Sequence, residues 1–226
     1  MTAGDTTGTS FDVIHRQDDA LGWIAYPDEK MERASYALTD SDRDGIWLVD
    51  PVDCDGLDEL LRPRGPVLGV VIALDRHKRD AVAIATRHEV PIYRPTWMQS
   101  IDDDLDGPVR ALGGELGATG FELSKRIDNR FWKEVVLYRP SDATVYVPES
   151  VGAAAYFCVG DEPVGVHPML RLTPPAELTD RPVERLFMGH GHPIGTDATE
   201  PLVSAIDTAR QRFPGLLKQL LSSRLG

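Results

Sequence analysis

Residues 66–74, Pro-Val-Leu-Gly-Val-Val-Ile-Ala-Leu, carry no polar side chain and run straight into Asp75-Arg76-His77-Lys78-Arg79-Asp80. A strand with one wet face alternates apolar and polar residues. An unbroken apolar run marks a strand covered on both faces, as in the parallel sheets of layered α/β proteins. Behind the charged hexapeptide, Ala81, Val82, Ile84 and Ala85 fall on one side of a helix, and Val90-Pro91-Ile92-Tyr93 reads as a short strand. Residues 67–93 therefore predict a strand–loop–helix–strand crossover. The crossover places a loop rich in ligand-type side chains at the carboxyl end of a buried strand, where open α/β sheets build their sites.

The other segments agree with a layered domain. Residues 21–26, 33–38 and 45–50 read as strands, the last closing on Asp50 before Pro51 stops the ladder, and residues 56–61 as a short helix ended by Pro63. Residues 120–123, 134–138 and 144–147 form a second β region, the last two joined by the turn Arg139-Pro140-Ser141-Asp142. Asp102–Asp106 reads as a solvated acidic loop without calcium-loop spacing, and residues 164–182 as a long Pro-rich connection. Arg185–Met188 is another buried strand, followed by Gly189-His190-Gly191-His192-Pro193. Leu202, Val203, Ile206 and Ala209 share a helical face, and Pro214 is expected to open a separate final helix carrying Leu216, Leu217, Leu220 and Leu221. No repeat or linker divides the chain, so one domain over residues 11–226 is expected, behind a Thr/Gly-rich flexible arm at residues 1–10.

Charge narrows the partners. With Lys+Arg 24 against Asp+Glu 36 the formal net charge is −12, and only five of the basic residues are lysine. Such a surface repels phosphate backbones, and no basic stripe or nucleic-acid motif relieves it, so nucleic acid is excluded as a partner. No apolar run reaches membrane-spanning length and the start lacks a secretory pattern, so a soluble, cytoplasmic protein without membrane association is expected. Cys54 and Cys158 lack CxxC spacing and are expected as separate reduced thiols.

Three loops after buried strands carry possible ligands: Asp75–Asp80, Glu149 after Val145–Pro148, and His190 between two glycines. The order of these segments over residues 20–213 resembles the metallo-β-lactamase fold. Its best markers are Leu186-Phe187-Met188-Gly189-His190-Gly191-His192-Pro193, similar to that family's late GHG segment, and Ile46-Trp47-Leu48-Val49-Asp50, similar to its early strand with a terminal Asp. The resemblance implies a four-layer αββα sandwich with a metal site at one edge between the sheets. It also exposes a departure. The family's HxHxDH motif gives two ligands to one metal and an Asp-His pair to the other. Aligning Asp80 with the motif's Asp puts Arg76, Lys78 and Ala81 at the histidine positions. Sliding by one places Asp75 and His77 at the first two ligands, with Arg79 in place of the Asp. No histidine precedes Trp132–Leu137, and Glu149 best matches the bridging Asp.

The candidate ligands are therefore His77, Asp80, Glu149 and His190, with Asp75 as a further one, while Arg76, Lys78, Arg79 and Lys133 are candidate basic pocket residues. A cation within ~4 Å of another charge interacts at about 4 kcal/mol at an effective dielectric of 20, so these side chains oppose a pair of dications. The expectation is a degraded dinuclear site without cofactor, in which a basic side chain fills a vacated metal position and pairs with Asp80 or Glu149. Such a domain would be a non-catalytic small-molecule binding or regulatory protein. The alternatives are a hydrolase of an ester, thioester or lactone using one Zn, Fe or Mn on His77, Asp80, Glu149 and His190, and an assembly module docking a partner, or a second copy as a homodimer, through its C-terminal helix.

Acidic, lysine-poor surfaces suit a high-salt cytosol, where repulsion is screened over only ~3 Å at 1 M ionic strength. On this halophilic reading the melting temperature is expected to fall when refolding is carried out in low salt. An unchanged melting temperature contradicts it.

Overall fold

The computed structural model describes residues 11–222; the expected arm at residues 1–10 lies outside them. Seven strands make the first sheet in sequence order: β1 (Asp12–Gln17), β2 (Ala20–Ile24), β3 (Ala34–Asp40), β4 (Gly45–Val49), β5 (Val67–Val71), β6 (Ile92–Pro95) and β7 (Val109–Leu112). β1 to β4 pair antiparallel, and β4 to β7 pair parallel. Two helices, α1 (Leu57–Leu61) and α2 (Ala81–Arg87), bury Leu57, Leu61, Ala81, Ile84 and Ala85 in the core of this sheet. The apolar run at residues 66–74 is β5 and its extension, and the predicted β5–α2–β6 crossover is present.

The second sheet has the order β13 (Arg185–Met188), β10 (Thr144–Val147), β9 (Lys133–Arg139), β8 (Glu122–Asp128). Its strands alternate between two cores. Val135, Leu137, Tyr146 and Phe187 face the first sheet, whereas Val136, Val145, Val147, Leu186 and Met188 pack with Leu202, Ala205, Ile206 and Ala209 of the C-terminal helix α3 (Thr199–Ser222). That alternation is the period of two of a sheet covered on both faces, and it makes four layers. A two-stranded ribbon, β11 (Val151–Gly152) with β12 (Gly165–Val166), follows β10. No helix among the described residues is long and apolar enough to cross a membrane.

Two local expectations change. Asp102 and Asp104 belong to a 3-10 stretch, Thr96–Asp104, in which Arg94 binds Asp102 (2.6 Å) and Lys78 binds Asp104 (2.6 Å). The carboxylates are tied to cations there, and the run folds up instead of staying an open loop. At the C-terminus, α3 runs continuously through Pro214. Leu202, Ala205, Ile206, Ala209 and Leu216 are all buried, so the apolar stripe continues across the proline, and packing outweighs the one missing N–H. Leu217 and Leu221 remain exposed on the other side.

Two substitutions test this packing. Leu48→Ala, at a fully buried position of β4, is expected to cost about 2–5 kcal/mol in denaturant unfolding. Pro214→Ala is expected to raise the melting temperature by restoring a helical donor; a lower value would show that the packing of α3 depends on the proline.

Candidate functional site

The parallel pairs decide where the chemistry collects. β4 and β5 in one sheet and β10 and β13 in the other all deliver their carboxyl ends to the same edge of the sandwich. β10 and β13 are in register from Thr144↔Arg185 to Val147↔Met188, so Glu149 and His190 emerge side by side. Gly189 makes this possible: a Cβ there would stand 2.2 Å from the Pro148 carbonyl oxygen and 3.1 Å from His77 Cε1.

Asp50 sits at the centre, fully buried, in the left-handed region at φ 46°. Its carboxylate accepts from the Ala73 amide (2.8 Å) and the Tyr146 hydroxyl (2.6 Å), and lies 3.0 Å from His77 Nδ1. Burial raises the Asp50 pKa to about 6, with Arg79 and the two donors pulling the other way. Ionised at neutral pH, Asp50 can only accept, which puts the His77 proton on Nδ1 and leaves Nε2 bare. His190 is fixed in the same sense: its Nδ1 faces the Met31 carbonyl at 2.8 Å and must donate. The two bare Nε2 atoms stand 3.2 Å apart. Burial, then Arg79 and Arg76, holds the His77 pKa well below its ordinary value; burial, then His77 and Arg79, does the same for His190. With a Glu149 oxygen, their nitrogens form a group within 4.8 Å of one another that could hold a metal ion.

Cations already occupy this corner. Arg79, at φ 41°, donates to the carbonyls of Ala34 (2.7 Å), Asp50 (2.6 Å) and Gly189 (3.0 Å), and its Nη2 lies 3.4 Å from His77 Nε2. Arg76 donates to Glu149 (2.6 Å) and the Phe131 carbonyl (2.9 Å) while its guanidinium lies over the Trp132 ring at 4.4 Å. Two guanidiniums thus balance the carboxylates of Asp50 and Glu149. A basic residue does pair with Glu149, but it is Arg76, while Arg79 is held by backbone carbonyls.

The other candidates lie elsewhere. Asp80 precedes α2 and accepts from the Asp53 amide (2.9 Å), so it serves the loop structure and stays out of the His77–Glu149–His190 group. Asp75 also stays out of it; its amide donates to Lys133 O (3.0 Å), and its Oδ1 is buried without a hydrogen-bond partner. Lys78 and Lys133 do not reach the group: their ammonium groups are drawn to Asp104 and to Asp128. His192 is exposed.

Four residues escaped the reading of the sequence as members of the site. Asp50 was legible as a strand end and a marker of the family resemblance but was not named for the site, and Tyr146 read as one apolar strand position. Glu134 is fully buried, accepts from Trp132 Nε1, Ser150 Oγ and the amides of Glu149 and Ser150, and so fixes the loop that carries Glu149. His167 carried no signal at all, yet its Nε2 lies 3.7 Å from Glu149 and its ring packs edge-on to Trp132, with its pKa lowered to about 4 by burial and Arg76. A polar residue in a buried alternating strand, as at Glu134, was the one available hint. The thiols of Cys54 and Cys158 are free, and burial pushes them up to about 11 and about 12, which leaves them protonated at neutral pH.

No family model matches the chain, and no curated protein matches it in sequence. Solved structures match it in shape. A metallo-β-lactamase from Pontibacter korlensis superposes with TM-score 0.63 at 13% identity, covering 88% of this chain and 99% of the other. The metal-soaked Flv1 flavodiiron core from Synechocystis sp. PCC6803 gives 0.61 at 12%, covering 89% and 61%. TTHA1623 in a di-iron-bound form gives 0.50 at 20%, covering 75% and 92%. The four layers, the sheet edge that gathers Asp50, His77, Glu149 and His190, and these superpositions agree: the chain has the metallo-β-lactamase fold.

Proposed function

We propose that this domain is a non-hydrolytic variant of its fold, a small-molecule binding or regulatory protein in which arginine side chains replace the charge of a metal pair. The observation that carries the reading is Arg79, seated on three carbonyls with Nη2 3.4 Å from His77 Nε2. It stands where one register of the HxHxDH motif puts an aspartate, so a ligand for a second ion is replaced by a fixed positive charge. Arg76 neutralises Glu149 in the same way. Two divalent ions close together need about six inward donors, and the group here has three. A dinuclear centre does not fit.

A second reading rests on the histidine pair. Two nitrogens bound to one zinc at tetrahedral angles lie about 3.3 Å apart, close to the 3.2 Å between the Nε2 atoms. His77, His190 and Glu149 would hold one Zn, Fe or Mn, without Asp80, and the bound ion would supply Lewis-acid polarisation of an ester, thioester or lactone carbonyl and an activated water. Asp50 and the Met31 carbonyl orient the imidazoles for it, but Arg76 would have to release Glu149.

Metal content and activity separate the two. The purified protein, dialysed against zinc and then buffer, is expected to retain well below one equivalent, and ester and thioester probes are expected to give no turnover that His190→Ala abolishes. Stoichiometric metal together with His190-dependent turnover establishes the second reading instead. Arg79→Ala is expected to bind zinc at least about tenfold more tightly than the parent, because it removes a like charge from the site. Equal affinity would show that Arg79 does not exclude the ion.

The neutral histidines also predict an acid response. His77, His167 and His190 have folded pKa values below the ordinary 6.5, so as pH falls through 6.5 the unfolded chain takes up protons first and stability is lost. Asp50 acts in the opposite sense: its folded pKa of about 6 exceeds the unfolded value of 3.8, so its contribution is complete below 3.8 and lost as pH rises through 6. Glu134, also raised by burial, acts with Asp50, and the three histidines outnumber these two buried carboxylates. The urea midpoint at constant salt is expected to drop as pH falls below 6.5. A flat profile would mean that these histidines are not neutral in the folded chain.

A further inference from the structure

Away from the metal-like corner, the outer face of the second sheet holds a cavity of about 210 Å³ between its strands and the 3-10 turn Ala176–Thr179. Its floor is apolar: Val136, Tyr138, Val145, Leu178 and Val183. The polar part of its wall is built by an irregularity. β8 and β9 pair Lys125 with Val135 and Ile127 with Glu134, so Arg126 is the extra residue of a β-bulge. Bulges re-aim side chains beside sites, and here the bulged residue is an arginine lining an apolar cavity. Lys125 also lines the cavity, but its ammonium is engaged over Trp97 and donates to Asp128.

Arg126 is half satisfied. Its Nη1 is bound by Glu177 on the turn, while its Nε is buried with no hydrogen-bond partner. A buried donor left unmet is unfavourable. The Nε–Nη2 edge of a guanidinium is the fork that takes a carboxylate by two parallel bonds. Glu177, about half exposed, reaches the guanidinium through Nη1 and leaves the Nε donor unmet. Arg181 adds a second cation on the rim, stacked on Tyr138 at 5.0 Å and bonded to Glu122 at 3.4 Å; Asp180 stands beside it.

We propose that this cavity binds a small amphipathic carboxylate, its chain on the Val136–Val145–Leu178 floor and its head displacing Glu177 from Arg126, so that the freed guanidinium turns to meet it with both Nε and Nη2. The site shares no residue with the His77–Glu149–His190 group, so it stands whether or not a metal binds there.

The test uses the full chain, with octanoate as the probe and 1-octanol as its uncharged counterpart, by calorimetric titration or amide chemical-shift perturbation. Octanoate is expected to bind at least about tenfold more tightly than octanol, shifting amides of β8 and of residues 176–183. Arg126→Gln is expected to erase that difference, and Glu177→Gln to tighten octanoate several-fold. Equal binding of the two probes, no binding of octanoate, or an unchanged preference in Arg126→Gln overturns the proposal. If Arg126→Gln fails to fold, Glu177→Gln decides alone: octanoate binding unchanged or weakened in that variant also overturns it.

Discussion

Asp50 joins the two halves of the sandwich and sets the chemistry of the edge where they meet. Its carboxylate takes the Ala73 amide of the first sheet and the Tyr146 hydroxyl of the second, and faces His77 Nδ1. Its own carbonyl accepts from Ser35 and from Arg79. A buried carboxylate with several donors and a nearby guanidinium is tolerated, whereas removing any one of them would leave a charge or a donor unmet. The left-handed backbone at Asp50 is held by this set of partners. The imidazole tautomers, the placement of Arg79 and the contact between sheets are therefore one structure with several outlets.

The same economy explains the site's charge. This domain gathers imidazoles and carboxylates at one edge because the carboxyl ends of two parallel strand pairs, β4 with β5 and β10 with β13, point there, and that concentration of donors calls for positive charge. Here Arg76 and Arg79 supply it from the very loop that follows β5. The arginines and an ion compete for the same lone pairs and carboxylates, so the two readings of the function differ in which cation holds the corner, and the remaining geometry serves both.

Much of this was legible in the chain itself. The unbroken apolar run fixed β5 and its crossover, and the glycines around His190 pointed to a close backbone approach. His77, Glu149 and His190 could be named because each follows a buried strand. What was hidden depended on neighbours distant in sequence. Asp80 looks like a ligand beside His77, but the direction of its side chain is set by the Asp53 amide. Lys78 and Lys133 look like pocket residues until Asp104 and Asp128 draw them off. His167 sits in an irregular connection with no periodicity to read, and only the fold brings it beside Glu149. Pro214 was a stop by local rules, and tertiary packing of α3 overrode it.

The three carbonyls under Arg79 come from separate stretches of chain, at Ala34, Asp50 and Gly189. A covalently tethered side chain therefore clasps three segments that lie far apart in the sequence. Chelators cannot strip such a clasp, and scarcity of trace elements cannot delay it. This clasp is complete as soon as the chain has folded, whichever cation comes to hold the histidine pair.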